Sequence, residues 1–273
     1  SKGEIYVEET FTKLWESVEL DRSRQKEFWD GRAVHFNKIF KQNETAQEAK
    51  EVLNYLEQKG ALTKQSAILD IGCGAGKYGI EFAKSAKEVA CSDISSEMIK
   101  YAKQNADTAG VKNINFYQLS WPDADIAALG WQKKFDLVFS AYCPGINGAQ
   151  ALKKMLEAGR KHFFVSGFVK RTDKILGNLC KHFGVKEKEW GDRLYYAFNL
   201  LWIWGYYPEI LYKDKYWSDT FTIEQFADHF IARKNEKDNI NKEEVIEYLK
   251  EFSEDGVIHE ETKSKAIWIY WKI

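Results

Sequence analysis

The chain has 273 residues, with 40 Lys or Arg against 41 Asp or Glu, so its formal net charge is −1. This length suits one large domain or a core domain with a smaller one attached. The near-neutral balance leaves no global excess of positive charge to neutralise phosphates, so the composition disfavours nucleic acid as a partner. Hydrophobic residues make up 44% of the chain and there are only 3 Pro, which is typical of a sequence that folds throughout.

Cysteine spacing and hydropathy indicate whether the chain has disulfides, a metal site or a membrane-spanning segment. The 4 cysteines form no CxxC pair, and no cluster of His, Cys and carboxylates has the spacing of metal ligands, so we predict neither disulfides nor a metal site. The first ten residues lack the basic and apolar regions of a signal peptide, and no apolar run approaches the roughly 18 residues of a membrane span. We therefore expect a cytoplasmic protein with no membrane partner. The oligomeric state is left open.

The first 60 residues are polar with apolar residues at helical intervals, which predicts two or three amphipathic helices ending near Gly60. From 67 to 167, short apolar runs alternate with helical patterns, which predicts five strands and their connecting segments. Because parallel strands need long crossover connections, this alternation indicates a doubly wound, mostly parallel α/β sheet.

The remainder of the chain departs from this alternation. Residues 192–217 are rich in aromatic side chains and are predicted to form a helical lid, and helical patterns follow at 222–234 and 241–253. The C-terminus is predicted to add an antiparallel hairpin with its turn at 262–265, giving seven strands in all. The predicted divisions are 1–60 as a helical cover, 61–170 as the core, 171–250 as the lid with its helices, and 251–273 as the hairpin.

A glycine-rich loop follows the first predicted strand. The segment AILDIGCGAGKYG, residues 67–79, runs from an apolar strand through Gly72, Gly74 and Gly76 into a helical segment. Glycines let a ligand approach the backbone N–H groups at the carboxyl end of a strand, so the loop is a candidate nucleotide or carboxylate site. The spacing also satisfies GxGxxG, so the pattern alone does not distinguish nicotinamide cofactors from others.

Two aspartates narrow the choice of ligand. Asp93 ends the second strand about twenty residues after the loop, where a carboxylate can accept hydrogen bonds from both ribose hydroxyls. Asp70 lies two residues before Gly72, where its charge would repel a pyrophosphate and attract an ammonium group. The pattern therefore favours an adenosine ligand that carries a positive charge.

These segments, with VACSDISSEMIKYAKQNA and FDLVFSAY, resemble the class I S-adenosylmethionine-dependent methyltransferases over residues 67–167. The resemblance implies a Rossmann-like fold, S-adenosylmethionine as cofactor and S-adenosylhomocysteine as product. It also implies that the glycine loop holds the methionine part, that Ile94 and Met98 flank the adenine, and that Ser140 and Ala141 lie under the sulfonium. The expected cofactor-binding residues are Asp70, Gly72, Cys73, Gly74, Gly76, Asp93, Ile94, Met98, Ser120, Trp121, Ser140 and Ala141.

The adenine contact departs from the family pattern. The third strand in the family ends in an acid that binds the adenine amino group, whereas here Leu119, Ser120 and Trp121 follow that strand. Ser120 is a possible substitute acceptor, and Asp123 or Asp125 would serve if the loop folds back.

The methyl acceptor is expected beyond the fourth and fifth strands, since ligands of such sheets lie outside the carboxyl ends of the strands. Tyr142 is the candidate catalytic residue there. An N-terminal segment, FWDGRAVHFNKIF, resembles the part of small-molecule methyltransferases that covers the cofactor, which makes His35 a candidate base. The candidate substrate-binding residues are Trp29, Arg32, Phe36, Cys143, Arg171, Trp204 and Tyr207.

The sequence thus predicts a methyltransferase that aligns S-adenosylmethionine with a small-molecule acceptor and excludes water, without nucleic acid. Two alternatives remain open. An NAD(P)-dependent oxidoreductase would also use a glycine loop, although Asp70 disfavours it. A non-catalytic protein that binds S-adenosylmethionine or serves as a scaffold would retain the same motifs.

Overall fold

The computed structural model describes residues 2–16, 22–41, 43–187, 191–232 and 240–273. It begins with three helices, as the hydrophobic spacing predicts: α1 Lys2–Glu16, α2 Arg22–Phe40 and α3 Asn43–Gln58. Helix α3 presents Ala49, Val52 and Leu56 to the core, where each is at most 1% exposed. In the described ranges, every helix is too short or too polar to cross a membrane.

The central part of the chain alternates strands and helices. Its elements are β1 Ala67–Ile71, α4 Lys77–Ala83, β2 Glu88–Asp93, α5 Ser96–Ala109, β3 Ile114–Gln118, β4 Phe135–Ala141, α6 Ala149–Ala158 and β5 Gly159–Asp173. Strand β1 pairs in parallel with β2 and β4, β2 pairs in parallel with β3, and β4 with β5. The strand order reverses beside β1, so the carboxyl ends of β1 and β4 form the crevice where such folds bind ligands.

The C-terminal part adds α7 Lys174–Phe183, α8 Asp192–Ile203, β6 Glu209–Thr222, α9 Ile223–Ile231, α10 Lys242–Leu249, β7 Ser253–Glu254 and β8 Val257–Lys272. The whole sheet has the order β3-β2-β1-β4-β5-β8-β6, with β7 paired to β8. The predicted doubly wound α/β class, mostly parallel with a C-terminal antiparallel hairpin, is confirmed.

The chain divides into two compact units. The first contains Ser1–Gly167, Arg193–Leu211 and Trp268–Ile273, and the second contains Phe168–Asp192 and Tyr212–Ile267. The first unit has a core in which Phe139 and Phe164 stack with their ring centroids 4.9 Å apart. The second has its own core, which includes Leu179, Phe226 and Phe230, all at most 1% exposed. The four predicted divisions of the chain remain a prediction.

Two element predictions were wrong in detail. Residues 209–217 form the start of β6 instead of a helix, because their period-two exposure pattern matches a strand while their aromatic content obscured it. The hairpin turns at Asp255 and Gly256, whose φ angles are 51° and 76°, and not at 262–265. The predicted helix 222–234 appears as α9, and its last two residues lie outside the described ranges.

Candidate functional site

The glycine loop connects β1 to α4 at the carboxyl edge of the sheet. Gly72, Gly74 and Gly76 have φ angles of 72°, 54° and 96°, a region that favours glycine. The backbone N–H groups of Gly72 and Cys73 donate to the carbonyl of Ser92 at 2.7 and 3.0 Å, which fixes the loop against β2. The loop is therefore fixed against the neighbouring strand in a conformation that glycine adopts without strain.

Asp70 is the most unusual charged group of this edge. Its side chain is buried, and burial raises the pKa of Asp70 to about 7, with the nearby carboxylate of Asp93 adding to the effect. The backbone N–H of Gly79 acts in the opposite direction. Within the described part of the chain, Oδ2 of Asp70 has no hydrogen-bond partner. A buried carboxylate oxygen without a partner fits a ligand that brings a positive charge.

Asp93 connects the end of β2 to the glycine loop. Its Oδ2 accepts a hydrogen bond from the backbone N–H of Gly74 at 2.9 Å, and its Oδ1 accepts one from Ser95 at 2.9 Å. Burial raises the pKa of Asp93, while these backbone bonds lower it. Each carboxylate oxygen has two acceptor sites, so this arrangement leaves capacity for ribose hydroxyls.

An open cleft lies beside Asp93, with a volume of about 540 Å³. This volume is within the range of roughly 300–1,000 Å³ that is typical of small-ligand sites. The lining residues are Lys26, Glu27, Ile94, Gln118, Leu119, Ser120 and Asp123.

The cleft includes part of the predicted adenine site. Ile94, Ser120 and Asp123 line it, and Ser120 Oγ bonds Asp123 Oδ2 at 2.7 Å. Met98 and Trp121 are buried instead, and the Trp121 indole N–H donates to the carbonyl of Ala151. The predicted contacts of these residues with the cofactor stay predictions.

Helix α2 is fixed over this cleft by contacts that the sequence analysis missed. Asp30 Oδ1 accepts hydrogen bonds from Ser95 Oγ at 2.6 Å and from the backbone N–H of Glu97 at 3.2 Å. Burial raises the pKa of Asp30, but its bonds to Lys26, Ser95 and Glu97 outweigh this and bring it to about 2. The carboxylate thus caps α5 and places Lys26 at the cleft.

The residues of α2 that were predicted to face the site contact one another. Trp29 packs against Phe28 and Phe36, with centroids 5.1 and 5.7 Å apart, and the guanidinium of Arg32 lies 5.2 and 5.6 Å from the same two phenyl rings. His35 is exposed. These side chains are not among the lining residues of the cleft, and their roles stay predictions.

On the acceptor side, Tyr142 follows β4 with a φ of 55°, an uncommon conformation for a residue with a side chain. Its hydroxyl donates to Glu48 Oε1 at 3.0 Å, and Glu48 also forms an ion pair with Lys77. Burial, followed by the charge of Glu48, raises the pKa of Tyr142 well above its usual value. The phenol therefore remains a protonated donor near neutral pH.

Cys143 and the aromatic helix α8 meet beside Tyr142. Arg193, in α8, donates to the carbonyls of Cys143 and Ile146. The thiol of Cys143 accepts from the backbone N–H of Gly145 at 3.3 Å, and burial raises its pKa. Ser140, also buried, donates to the carbonyl of Ile71. The thiol is thus held in its neutral form.

The other predicted acceptor residues are spread over the molecule. The Trp204 indole donates to Glu8 at 2.9 Å and lies under Lys153, whereas Tyr207 is 65% exposed. Arg171 belongs to the second unit, where it forms a bidentate contact with Asp173. In the described ranges, no three His, Cys, Asp or Glu side chains are grouped as metal ligands.

A family model described as "Methyltransferase domain" matches residues 62–200, which include the glycine loop, Asp93, Tyr142 and most of α8. The chain belongs to the class I S-adenosylmethionine-dependent methyltransferases. The predicted family, enzyme class and cofactor are therefore confirmed, and the oxidoreductase alternative is wrong.

Solved structures of other methyltransferases share the fold. A putative methyltransferase from Bacillus halodurans aligns with a TM-score of 0.51 at 16% identity, covering 81% of this chain and 97% of that one. Magnesium protoporphyrin IX methyltransferase from Synechocystis, with bound S-adenosylhomocysteine, aligns with a TM-score of 0.54 at 16% identity, covering 72% and 93%. At this identity the similarity concerns the fold alone.

Curated relatives include the 23S rRNA (uracil(1939)-C(5))-methyltransferases RlmD. That of Vibrio cholerae is 29% identical over 154 residues, covering 56% of this methyltransferase and 30% of the relative. That of Shewanella sediminis is 34% identical over 90 residues, covering 32% and 20%. The matched part of this chain therefore spans less than a third of the length of either relative.

These relatives overturn the predicted partner. The expectation of a small-molecule acceptor without nucleic acid was wrong, because the matched curated proteins act on ribosomal RNA. The error has a physical origin: a net charge of −1 is a sum over the whole chain, whereas binding of nucleic acid depends on where the cations lie.

Proposed function

We propose that this methyltransferase transfers a methyl group from S-adenosylmethionine to a base of RNA. The observation that carries the acceptor is the similarity of 154 residues to an enzyme that methylates uracil in 23S rRNA. S-adenosylmethionine, when bound, supplies an electrophilic methyl group on a sulfonium. The chain has to align donor and acceptor and to exclude water, and it needs a base only where the acceptor must lose a proton.

In this proposal the carboxyl edge of β1 and β2 holds the cofactor. The glycine loop has no side chains at positions 72, 74 and 76, so the methionine part can approach the backbone closely, and the buried oxygen of Asp70 attracts the positive charge of the ligand. Asp93 accepts from the ribose, beside the loop that it already contacts. The adenine of the cofactor enters the cleft lined by Ile94 and Ser120, which has the volume of a small-ligand site.

The carboxyl edge of β4 is proposed to receive the RNA base. Tyr142 presents its ring there, held by the hydrogen bond that its hydroxyl donates to Glu48. Cys143 is proposed to shape the pocket as a neutral thiol, since burial raises its pKa. The four cysteines are all free thiols, which supports the predicted location in the reducing cytoplasm.

Methyl transfer can be tested with S-adenosylmethionine that carries an isotopically labelled methyl group. The purified protein is incubated with RNA from a strain in which its gene is deleted, and the RNA is digested to nucleosides for mass spectrometry. We expect the label in one methylated nucleoside, and none with Asp93→Ala. If the protein transfers the methyl group to another molecule and leaves RNA unlabelled, the proposal that RNA is the acceptor is wrong. A protein that binds S-adenosylhomocysteine and transfers no methyl group would favour the scaffold alternative.

A further inference from the structure

We infer that Glu48 is a positioning residue for methyl transfer, because one carboxylate joins the cofactor side of the site to the acceptor side. Its Oε1 accepts the hydroxyl of Tyr142 at 3.0 Å, and its Oε2 pairs with Lys77, the first residue of α4 after the glycine loop. The inference rests on the proposed function, since it assigns Glu48 to the same reaction.

Tyr142 needs such support because of its backbone. A φ of 55° lies in the left-handed region, which residues with a β-carbon adopt only when their surroundings hold them there. The backbone N–H of Tyr142 donates to the carbonyl of Ser166 at 3.0 Å, which fixes the main chain. The bond to Glu48 fixes the other end of the residue, so the ring is restrained at both ends.

The side chain of Glu48 is itself held in place. Glu48 precedes Ala49 on α3, and Ala49 is 1% exposed in the core. The side chains of Glu48 and Lys77 are only 16% and 23% exposed, so their ion pair is weakly screened by water. Lys77 also lies 4.8 Å from the centre of the Tyr78 ring, which restricts its ammonium group further.

This arrangement predicts a defect in turnover rather than in cofactor binding. A displacement of about 1 Å at the reacting atoms can cost roughly a hundredfold in rate. Loss of the Glu48 carboxylate releases the phenol of Tyr142, so the acceptor is held less well. Asp93, which is proposed to bind the cofactor, is held by other contacts, since it accepts hydrogen bonds from the backbone N–H groups of Gly74 and Ser95.

The test uses Glu48→Ala, Glu48→Gln, Tyr142→Phe and the Glu48→Ala/Tyr142→Phe double variant in the labelled RNA assay. We expect Glu48→Ala and Tyr142→Phe each to lower kcat about tenfold or more, with KM for S-adenosylmethionine within about threefold of the parent. The double variant should lose no more than about twofold in kcat beyond the less active single variant, because both changes remove the same hydrogen bond between Tyr142 and Glu48. Glu48→Gln keeps an acceptor oxygen for Tyr142 and should recover most of kcat.

Glu81→Gln is the matched control, since Glu81, on α4, forms an exposed pair with Lys84, the residue that follows this helix. It should keep the parent kcat and melting temperature. Independent, multiplying losses in the double variant, or an unchanged kcat in Tyr142→Phe, would overturn the inference even if Glu48→Ala fails to fold. A parent protein that leaves RNA unmethylated refutes the proposed function and the inference with it. If the parent methylates RNA and the variants at Glu48 and Tyr142 do so at the parent rate, the inference about Glu48 is wrong and the proposed function stands.

Discussion

Asp70 in the first unit and Glu260 in the second are both buried carboxylates, at 1% and 5% exposure, with different surroundings. The oxygens of Glu260 accept hydrogen bonds from the backbone N–H groups of Ile175 and Leu176 at 2.9 and 2.8 Å, which completes the first turn of α7. Oδ2 of Asp70 has no such partner in the described part of the chain. The second unit uses its buried acid for folding, whereas we propose that the buried acid of the first unit binds a ligand.

The largest loss of stability should come from removing the carboxylate of Glu260, whose two oxygens accept hydrogen bonds. Glu260→Ala leaves two buried N–H groups without acceptors, so we expect the free energy of unfolding to fall by about 3 kcal/mol. Urea denaturation measures this loss, and calorimetry should find the affinity for S-adenosylhomocysteine within twofold of the parent. Glu261→Ala removes an exposed pair with Lys174 and should cost at most about 0.5 kcal/mol. Equal losses in the two variants would contradict the assigned role of Glu260.

Asp70→Asn should change the free energy of unfolding in the opposite direction and stabilise the protein. Because burial raises the pKa of Asp70 to about 7, its charge opposes folding, and the neutral amide should raise the free energy of unfolding at neutral pH. The same change removes the negative charge proposed to attract the cofactor, so affinity for S-adenosylhomocysteine should fall about tenfold. A variant that is both less stable and unchanged in affinity would make Asp70 an ordinary structural residue.

The pH dependence sharpens the comparison for Asp70. Between about pH 4 and pH 7 the folded protein holds a proton on Asp70 that the unfolded chain has lost, so this group makes stability fall as pH rises. Asp70→Asn should flatten that part of the stability curve. A cationic ligand favours the charged form, so binding at pH 7 should release about half a proton. Calorimetry in buffers of different ionisation enthalpy measures this release, and proton uptake would contradict the proposal.

The smallest expected effect concerns Asp30, a paired acid beside the cleft that we propose to bind the cofactor. Asp30→Ala removes the bonds to Ser95 and Glu97 at the start of α5, which should cost about 1 kcal/mol of stability. Affinity for S-adenosylhomocysteine should fall only about threefold, because Lys26 and Glu27 lose their support while Asp93 keeps its own bonds. An affinity loss as large as that of Asp70→Asn would show that α2 contacts the cofactor directly.

The sequence was most informative where function depends on neighbouring residues of one segment. The glycine loop, Asp70 and Asp93 are recognisable because strand, turn and helix succeed one another within a few residues. Glu48 and Asp30 were missed because each acts on an element far along the chain: Asp30 reaches α5 and Glu48 reaches the end of β4. On a polar helix, nothing distinguishes such an acid from a solvated one before the fold is known.

Aromatic content misled the prediction for the lid. Residues 209–217 carry the alternating exposure of a strand, but their rings and their position after a helical segment favoured a helix. The indole of Trp204 contacts Glu8, about two hundred residues away in sequence, which no local pattern indicates. The proposed acceptor side therefore depends on tertiary contacts more strongly than the proposed cofactor side does, and sequence reasoning was correspondingly weaker there.

The glycine at position 72 has an evolutionary consequence. A β-carbon at this position would lie 2.3 Å from the sulfur of Cys143, so the loops after β1 and β4 occupy a shared space that admits only one side chain. The two positions should vary together among relatives, with a larger residue at 72 only where 143 is small. In laboratory selection, Gly72→Ala should be rescued by Cys143→Gly more readily than by changes elsewhere, although the φ of 72° still favours glycine.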